Sequence, residues 1–259
     1  MKPIIDIEKI NQIAIEAGKA IMEIYHIEDF SNIIDFKSDD SPLTLADKNA
    51  NKIIVSYLSN NYPDIPIISE EEAQDTYETR KNWQYFWLVD PLDGTKEFIK
   101  RNGEFTVNIA LIYQGNPVAG VIYVPVTEVL YYGQTGIGAF KRILSKTQQI
   151  QIEKNREEMI GVGSRSHAAE IDIQMQQKYN VVKNIVIGSS LKFCLVAEGV
   201  ADFYYRSGPT MEWDIAAGHA IVDAAGGKVI NEAGEKFIYN KKDLRNSAFY
   251  CLGSIPYLP

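Results

Sequence analysis

The chain has 259 residues, 46% of them apolar and 23% charged, which is enough length and apolar content for one large globular unit with a sizeable core. Its net charge of −8 excludes wrapping a long nucleic acid, which needs many Lys/Arg–phosphate contacts, but leaves room for a small phosphorylated ligand held through a cation. Two cysteines, neither in a CxxC pair, and three histidines make no zinc framework; they point to a reduced, cytoplasmic protein.

The first element is an amphipathic helix over roughly 5–25, with Ile7, Ile10, Ala14, Ala17, Ile21 and Ile24 at helical spacing. Thr44-Leu45-Ala46-Asp47 reads as a capping box with Asp47 as the reaching residue, opening a second helix that ends near Asn60–Pro63. IPIIS (65–69) and YFWLVD (85–90) are short apolar runs, best read as strands. FTVNIALIY (105–113), VAGVIYV (118–124) and EVLYYG (128–133) follow as an antiparallel meander, with a Gly-Asn-Pro turn after the first. Beyond the polar stretch SKTQQIQIEKNREE the pattern alternates. Strands fall near 159–163, 184–187 and 201–205, and helices near 167–178, 190–198 and 212–225. Two last strands lie near KVI (228–230) and FYCLG (249–253). The expected fold is α/β: an α+β half over 1–150 carrying a metal and phosphate loop, and an alternating α/β half over 151–259, together forming one catalytic unit. No apolar run approaches the ~18 residues of a membrane span, and the N-terminal segment lacks the apolar stretch of a signal peptide.

Three apolar runs end in carboxylates. They are Ser69-Glu70-Glu71-Glu72, Asp90-Pro91-Leu92-Asp93, and Glu212-Trp213-Asp214 at the start of an Ala- and Gly-rich helix. Mg²⁺ takes hard oxygen ligands, usually a few carboxylates completed by water and substrate phosphate. Pro91 fixes one dihedral of a turn from which Asp90, Asp93 and the Leu92 carbonyl can face one side. Gly94 and Thr95 then open a short helix whose first N–H groups lack helical partners and suit an anion. Taken singly, each stretch is also a common surface feature: DPxDG a turn, SEEE a solvated acidic loop, WD a helix start. The case rests on their joint occurrence. A P-loop, a complete dinucleotide-binding loop, a GxSxG elbow and an EF-hand spacing are all missing from the sequence.

The order Glu-Glu, then Asp-Pro-Leu-Asp-Gly-Thr, then Trp-Asp-Ile-Ala-Ala-Gly resembles the magnesium-dependent, lithium-sensitive inositol monophosphatase superfamily over nearly the whole chain. Within it, GTKEFIKRNGEFTVNIALI and GSSLKFCLVAEGVADFYYRSGPTMEWDIAAGHA look like the bacterial 3′(2′),5′-bisphosphate nucleotidases of the CysQ type. The resemblance implies a layered α-β-α-β-α sandwich. It implies hydrolysis of adenosine 3′,5′-bisphosphate (PAP) to AMP and phosphate in sulfur metabolism, by direct water attack. The same fold also hosts inositol-1-phosphate and fructose-1,6-bisphosphate phosphatases, which are the alternative substrates. Glu70, Asp90, the Leu92 carbonyl, Asp93 and Asp214 would hold two or three Mg²⁺, with Glu71 as a neighbour. Asp47 would lie near the weaker cation and the attacking water. Thr95 would orient that water and, with Gly94, hold phosphate.

For the nucleotide, the resemblance implies the run Gly163–His167, Ser189 and Ser190 with Lys192, and Arg206, with Leu92, Asp93 and Asp214 also touching substrate. Lys192 and Arg206 make chemical sense because a second phosphate needs a cation. His167 could equally cap the helix behind it. Members of this family are often homodimers, and some bacterial members lie on the cytoplasmic face of the inner membrane, although no segment here marks either contact. A non-catalytic phosphate sensor on this fold would lack one of the acids; none is lacking here.

Overall fold

The computed structural model describes residues 5–27, 34–36, 42–152, 158–166 and 169–253, with backbone alone at 34–36 and 42–44. In chain order the elements of the first half are α1 (Ile7–Tyr25), β1 (Ile34–Phe36), β2 (Pro42–Thr44), α2 (Leu45–Asn61), β3 (Ile67–Ser69), α3 (Tyr77–Arg80), β4 (Tyr85–Asp93), α4 (Thr95–Ile99), β5 (Thr106–Tyr113), β6 (Asn116–Val124), β7 (Val129–Gln134), β8 (Gly138–Ile143) and β9 (Lys146–Ile150). The second half contributes β10 (Met159–Ser164), α5 (Glu170–Lys178), β11 (Val181–Ile187), α6 (Leu191–Ala197), β12 (Phe203–Arg206), α7 (Glu212–Ala224), β13 (Lys228–Asn231) and β14 (Phe249–Leu252).

Strands β3 to β9 form a seven-stranded sheet in sequence order, parallel only between β3 and β4. A five-stranded mixed sheet runs β11-β10-β12-β14-β13. Side-chain alternation shows how the layers stack. On β4, Trp87 and Val89 pack with Ile10, Ala14, Ile21 and Ile54 of α1 and α2, while Phe86 and Leu88 pack with α6 and α7. On β12, Tyr204 faces that same α6–α7 layer, whereas Phe203 and Tyr205 pack with Met175 and Tyr179 of α5 and its C-terminal cap. The order is therefore α1 and α2, the large sheet, α6 and α7, the small sheet, then α5. Sheets covered on both faces need apolar residues at every position, which is why YFWLVD and FTVNIALI read as unbroken apolar runs.

Helix α1 is set by its sequence: Asp6 caps it by accepting from the Glu8 N–H at 3.2 Å, and the Ile/Ala stripe is buried. Helix α7 is buried along most of its length, and its small residues Ala216, Ala217 and Ala220 let it lie between two sheets.

Several expectations are corrected. Two strands escape the sequence reading: β8 just before Leu144, and β9 inside the polar stretch at which the halves are divided. Both extend the large sheet, and four of the five β9 residues are exposed because β9 is an edge strand. The turn between β5 and β6 is Gln114-Gly115, both at positive φ as a two-residue hairpin requires, so Asn116 and Pro117 belong to β6. The short elements β1, β2 and α3 carry too little periodicity to be foreseen. Asp47 lies in the first turn of α2, but the Thr44 side chain proposed to share a capping box with it is outside the described residues.

Candidate active site

Three chain segments end at one edge of the large sheet. Strand β3 hands over to Glu70, whose N–H donates to the Val89 carbonyl at 3.1 Å and so stays beside the end of β4. On β4, Asp90 and Asp93 are three residues apart, a spacing that would put them on opposite faces of a regular strand. Asp90 pairs with Asn108 and Asp93 with Thr106, so one extra residue bulges out of β4 between them. That bulge brings both carboxyl groups to one side. It is held by the Leu92 N–H, which donates to Asp90 Oδ1 at 3.1 Å. Gly94 then turns the chain into α4 with φ +97°, a left-handed conformation costly for any residue with a Cβ. Thr95 opens α4, its hydroxyl 3.5 Å from the Leu92 carbonyl. The third segment is α7, where Asp214 reaches back to accept from the Met211 N–H at 2.8 Å.

Among the described residues, Glu70, Asp90 and Asp214 each offer an oxygen within 4.8 Å of the others. Burial holds the Asp90 carboxyl well above the usual carboxylate range, reinforced by the charges of Glu70, Asp93, Asp214 and Asp47. Asp214 is raised for the same reasons, burial first and then Asp93 and Glu70. Asp93 stands beside this trio. Burial pushes it up to about 6, against the opposing pull of Lys192, the Ser190 N–H and the Asn108 amide, which donates to Asp93 at 3.4 Å. Asp47 is buried near the same cluster. An all-oxygen donor set whose members repel one another fits a hard divalent cation. Glu72 is turned elsewhere and accepts from Asn51, which in turn accepts from Ser69.

The trio opens on a cleft of about 330 Å³ whose lining includes Glu70, Asp93, Gly94, Thr95, Ser189, Lys192, Arg206 and Asp214. Lys192 is only 5% exposed; its ammonium donates to the Ser189 carbonyl at 2.5 Å and lies over the Tyr204 ring. Burial lowers its pKa to about 8, with Asp93 opposing that shift. Arg206 is equally buried, with Nη1 4.0 Å from Asp172 Oδ2. Two cationic side chains thus face the acid cluster across one cavity.

Of the residues expected at the site, Glu70, Asp93, Gly94, Thr95, Ser164, Ser189, Ser190, Lys192, Arg206 and Asp214 line this cleft, and Asp90 and Asp47 lie in or beside the acid cluster. The Leu92 side chain is core and its carbonyl faces Thr95; Glu71, Gly163, Arg165 and Ser166 do not line the cleft, and His167 lies outside the described residues. Arg165, part of the run expected near a nucleotide, is engaged by Glu104 through Nε at 2.5 Å and Nη2 at 2.6 Å. Sequence reasoning missed Asn108 and Thr106. Asn108 Oδ1 accepts from the Ser190 hydroxyl at 2.7 Å, and Thr106 shares a hydrogen bond with the same hydroxyl. The signal was present: an Asn inside an apolar strand covered on both faces must have partners.

The inositol monophosphatase family profile matches residues 5–252. The 3′(2′),5′-bisphosphate nucleotidase CysQ of Salmonella typhimurium is 48% identical over 239 residues, covering 92% of this chain and 95% of that protein. CysQ of Escherichia coli K12 is 47% identical over 238 residues, with the same coverage of both chains. The crystal structure of CysQ from Bacteroides thetaiotaomicron, described as a bacterial member of the inositol monophosphatase family, aligns with a TM-score of 0.84 at 43% identity, covering 95% of this chain and 96% of that one.

Proposed function

The chain belongs to the inositol monophosphatase family, and from that premise we propose the following reading of its site. The protein is a 3′(2′),5′-bisphosphate nucleotidase, a phosphomonoesterase of sulfur metabolism that hydrolyses PAP to AMP and phosphate. The family is metal-dependent, usually on Mg²⁺. The observation that carries the site assignment is the facing of Glu70, Asp90 and Asp214, within 4.8 Å of one another, by the buried cations Lys192 and Arg206 across one cleft.

Glu70, Asp90, Asp93, Asp214 and the Leu92 carbonyl would hold two or three Mg²⁺. When bound, the cations supply Lewis-acid stabilisation of phosphoryl charge and a more acidic water. Glu70 and Thr95 orient the attacking water, with Asp47 beside them. The first N–H groups of α4, Gly94 and Thr95 included, receive the phosphoryl oxygens, so charge developing there meets fixed donors. Asp214 anchors the ribose side. Lys192 and Arg206 take the second phosphate, with Ser189 and His167 nearer the nucleoside. In this reading water attacks the phosphorus directly and in line, with no covalent enzyme intermediate.

Among the described residues no helix is long and apolar enough to cross a membrane. We assign the reaction to the cytoplasm, where the buried thiols of Cys194 and Cys251 stay reduced. The test is phosphate release from PAP, inositol 1-phosphate and fructose 1,6-bisphosphate with Mg²⁺, with and without Li⁺. Preference for PAP with inhibition by Li⁺ supports the reading. Preference for inositol 1-phosphate or fructose 1,6-bisphosphate would keep the acid cluster and discard the nucleotide-binding roles of Lys192 and Arg206.

A further inference from the structure

The Lys192 ammonium donates to the Ser189 carbonyl. Ser189 itself sits at φ +45°, a conformation that a non-glycine residue keeps only when its surroundings hold it there. Two pins flank it. On the C-terminal side, the Ser190 hydroxyl is bonded to Thr106 and Asn108. On the N-terminal side, the Gly188 N–H donates to Glu104 Oε2 at 2.7 Å. Glu104 belongs to the loop between α4 and β5, so it reaches across from the half of the chain that carries Glu70 and Asp90. Its carboxylate is fixed in turn by Arg165, bidentate at 2.5 and 2.6 Å, and Arg165 also donates to the Val186 carbonyl at 2.9 Å. The contact leaves no slack: a Cβ on Gly188 would lie 2.8 Å from both the Glu104 carbonyl oxygen and Glu97 Cγ.

We propose that Glu104, locked by Arg165, is a positioning residue for the second-phosphate subsite: it holds Gly188 so that the Ser189 carbonyl aims the Lys192 ammonium into the cleft. Glu104 touches no reacting atom in this scheme and acts through Gly188 and Ser189. The bidentate geometry matters because it fixes the carboxylate plane, which a lysine at 165 would not do. The inference rests on the nucleotidase reading, since it assigns Lys192 to a second phosphate.

The test is Glu104→Gln assayed with two substrates, PAP and adenosine 3′-monophosphate, which lacks the second phosphate. The expected result is a rise in KM for PAP of about 5–20-fold, the scale of one weakened hydrogen bond to a charged group. Its kcat should stay within about 2-fold, and both constants for the monophosphate should be unchanged. A variant that keeps the wild-type preference for PAP, or loses activity equally on both substrates, overturns the proposal. A wild-type enzyme that does not prefer PAP overturns the nucleotidase reading itself and the proposal with it. If Glu104→Gln does not fold, the half-exposed Arg165 decides through Arg165→Met and Arg165→Lys. A selective rise in KM for PAP of about 3–5-fold in the Met variant, partly rescued by Lys, supports the proposal, and an unselective or absent effect overturns it.

Discussion

If the acid trio exists to hold a cation, then removing one acid should stabilise the protein whenever the cation is withheld. Asp90→Asn is the cleanest perturbation, because Asp90 is 2% exposed and an Asn oxygen can still accept from the Leu92 N–H. Two ionised carboxylates 4.8 Å apart repel by about 3.5 kcal/mol at an effective dielectric of about 20. Asp90 takes part in two of the three such pairs. Proton uptake by Asp90 and Asp214, both raised, relieves much of that repulsion, leaving a gain of about 1–3 kcal/mol for the variant at pH 7.5. For a chain of this size that is a rise in Tm of about 3–10 °C.

The sign with pH is fixed. The folded carboxyl titrates above its unfolded value, so its penalty is absent below about pH 4 and grows as pH rises toward the folded pKa; the advantage of the Asn should shrink on acidification. Adding Mg²⁺ should invert the order, since binding at about 100 times Kd stabilises the wild type by about 2.7 kcal/mol and the variant by less. The assay is thermal unfolding of both proteins in EDTA and in Mg²⁺, at pH 7.5 and pH 5. A variant less stable than wild type in EDTA at pH 7.5 would refute the claim that these carboxylates repel across a cation site.

Other outcomes follow from the same geometry. Lys192→Met should raise KM for PAP by about 10–150-fold, the worth of a hydrogen bond to a charged group, with kcat nearly unchanged in steady-state assays. Gly94→Ala should cost about 1–2 kcal/mol in thermal unfolding and more in kcat, because φ is +97° and the new Cβ would lie 3.1 Å from the Glu104 carbonyl oxygen. The rise in Tm caused by Mg²⁺ should be full above pH 7 and decline as pH falls through about 6, where protons compete for Asp93; an equal rise at pH 5 would contradict the assigned ligands.

Much of this site was legible before any coordinates. Proline between two aspartates, glycine behind them and a distant Trp-Asp opening a helix mark chain ends that carry charge, and the fold brings those ends to one sheet edge. What could not be read was the bulge. Asp90 and Asp93 share a side only because β4 gains a residue against β5, a property of the pair of strands and not of either one. Strand β9 was hidden for a different reason: an edge strand is solvated, so its residues carry no apolar alternation. The pairing of Glu104 with Arg165 could not be read because 61 residues separate them.

The central claim is that this chain removes the 3′-phosphate of PAP by direct water attack at a divalent cation site. ³¹P NMR of PAP hydrolysis in ¹⁸O-enriched water, with Mg²⁺ and then with EDTA, tests it most directly. The account predicts Mg²⁺-dependent loss of the 3′-phosphate signal, an intact 5′-phosphate, and the heavy oxygen in the released phosphate. Hydrolysis that persists in EDTA, or loss of the 5′-phosphate instead, would contradict it.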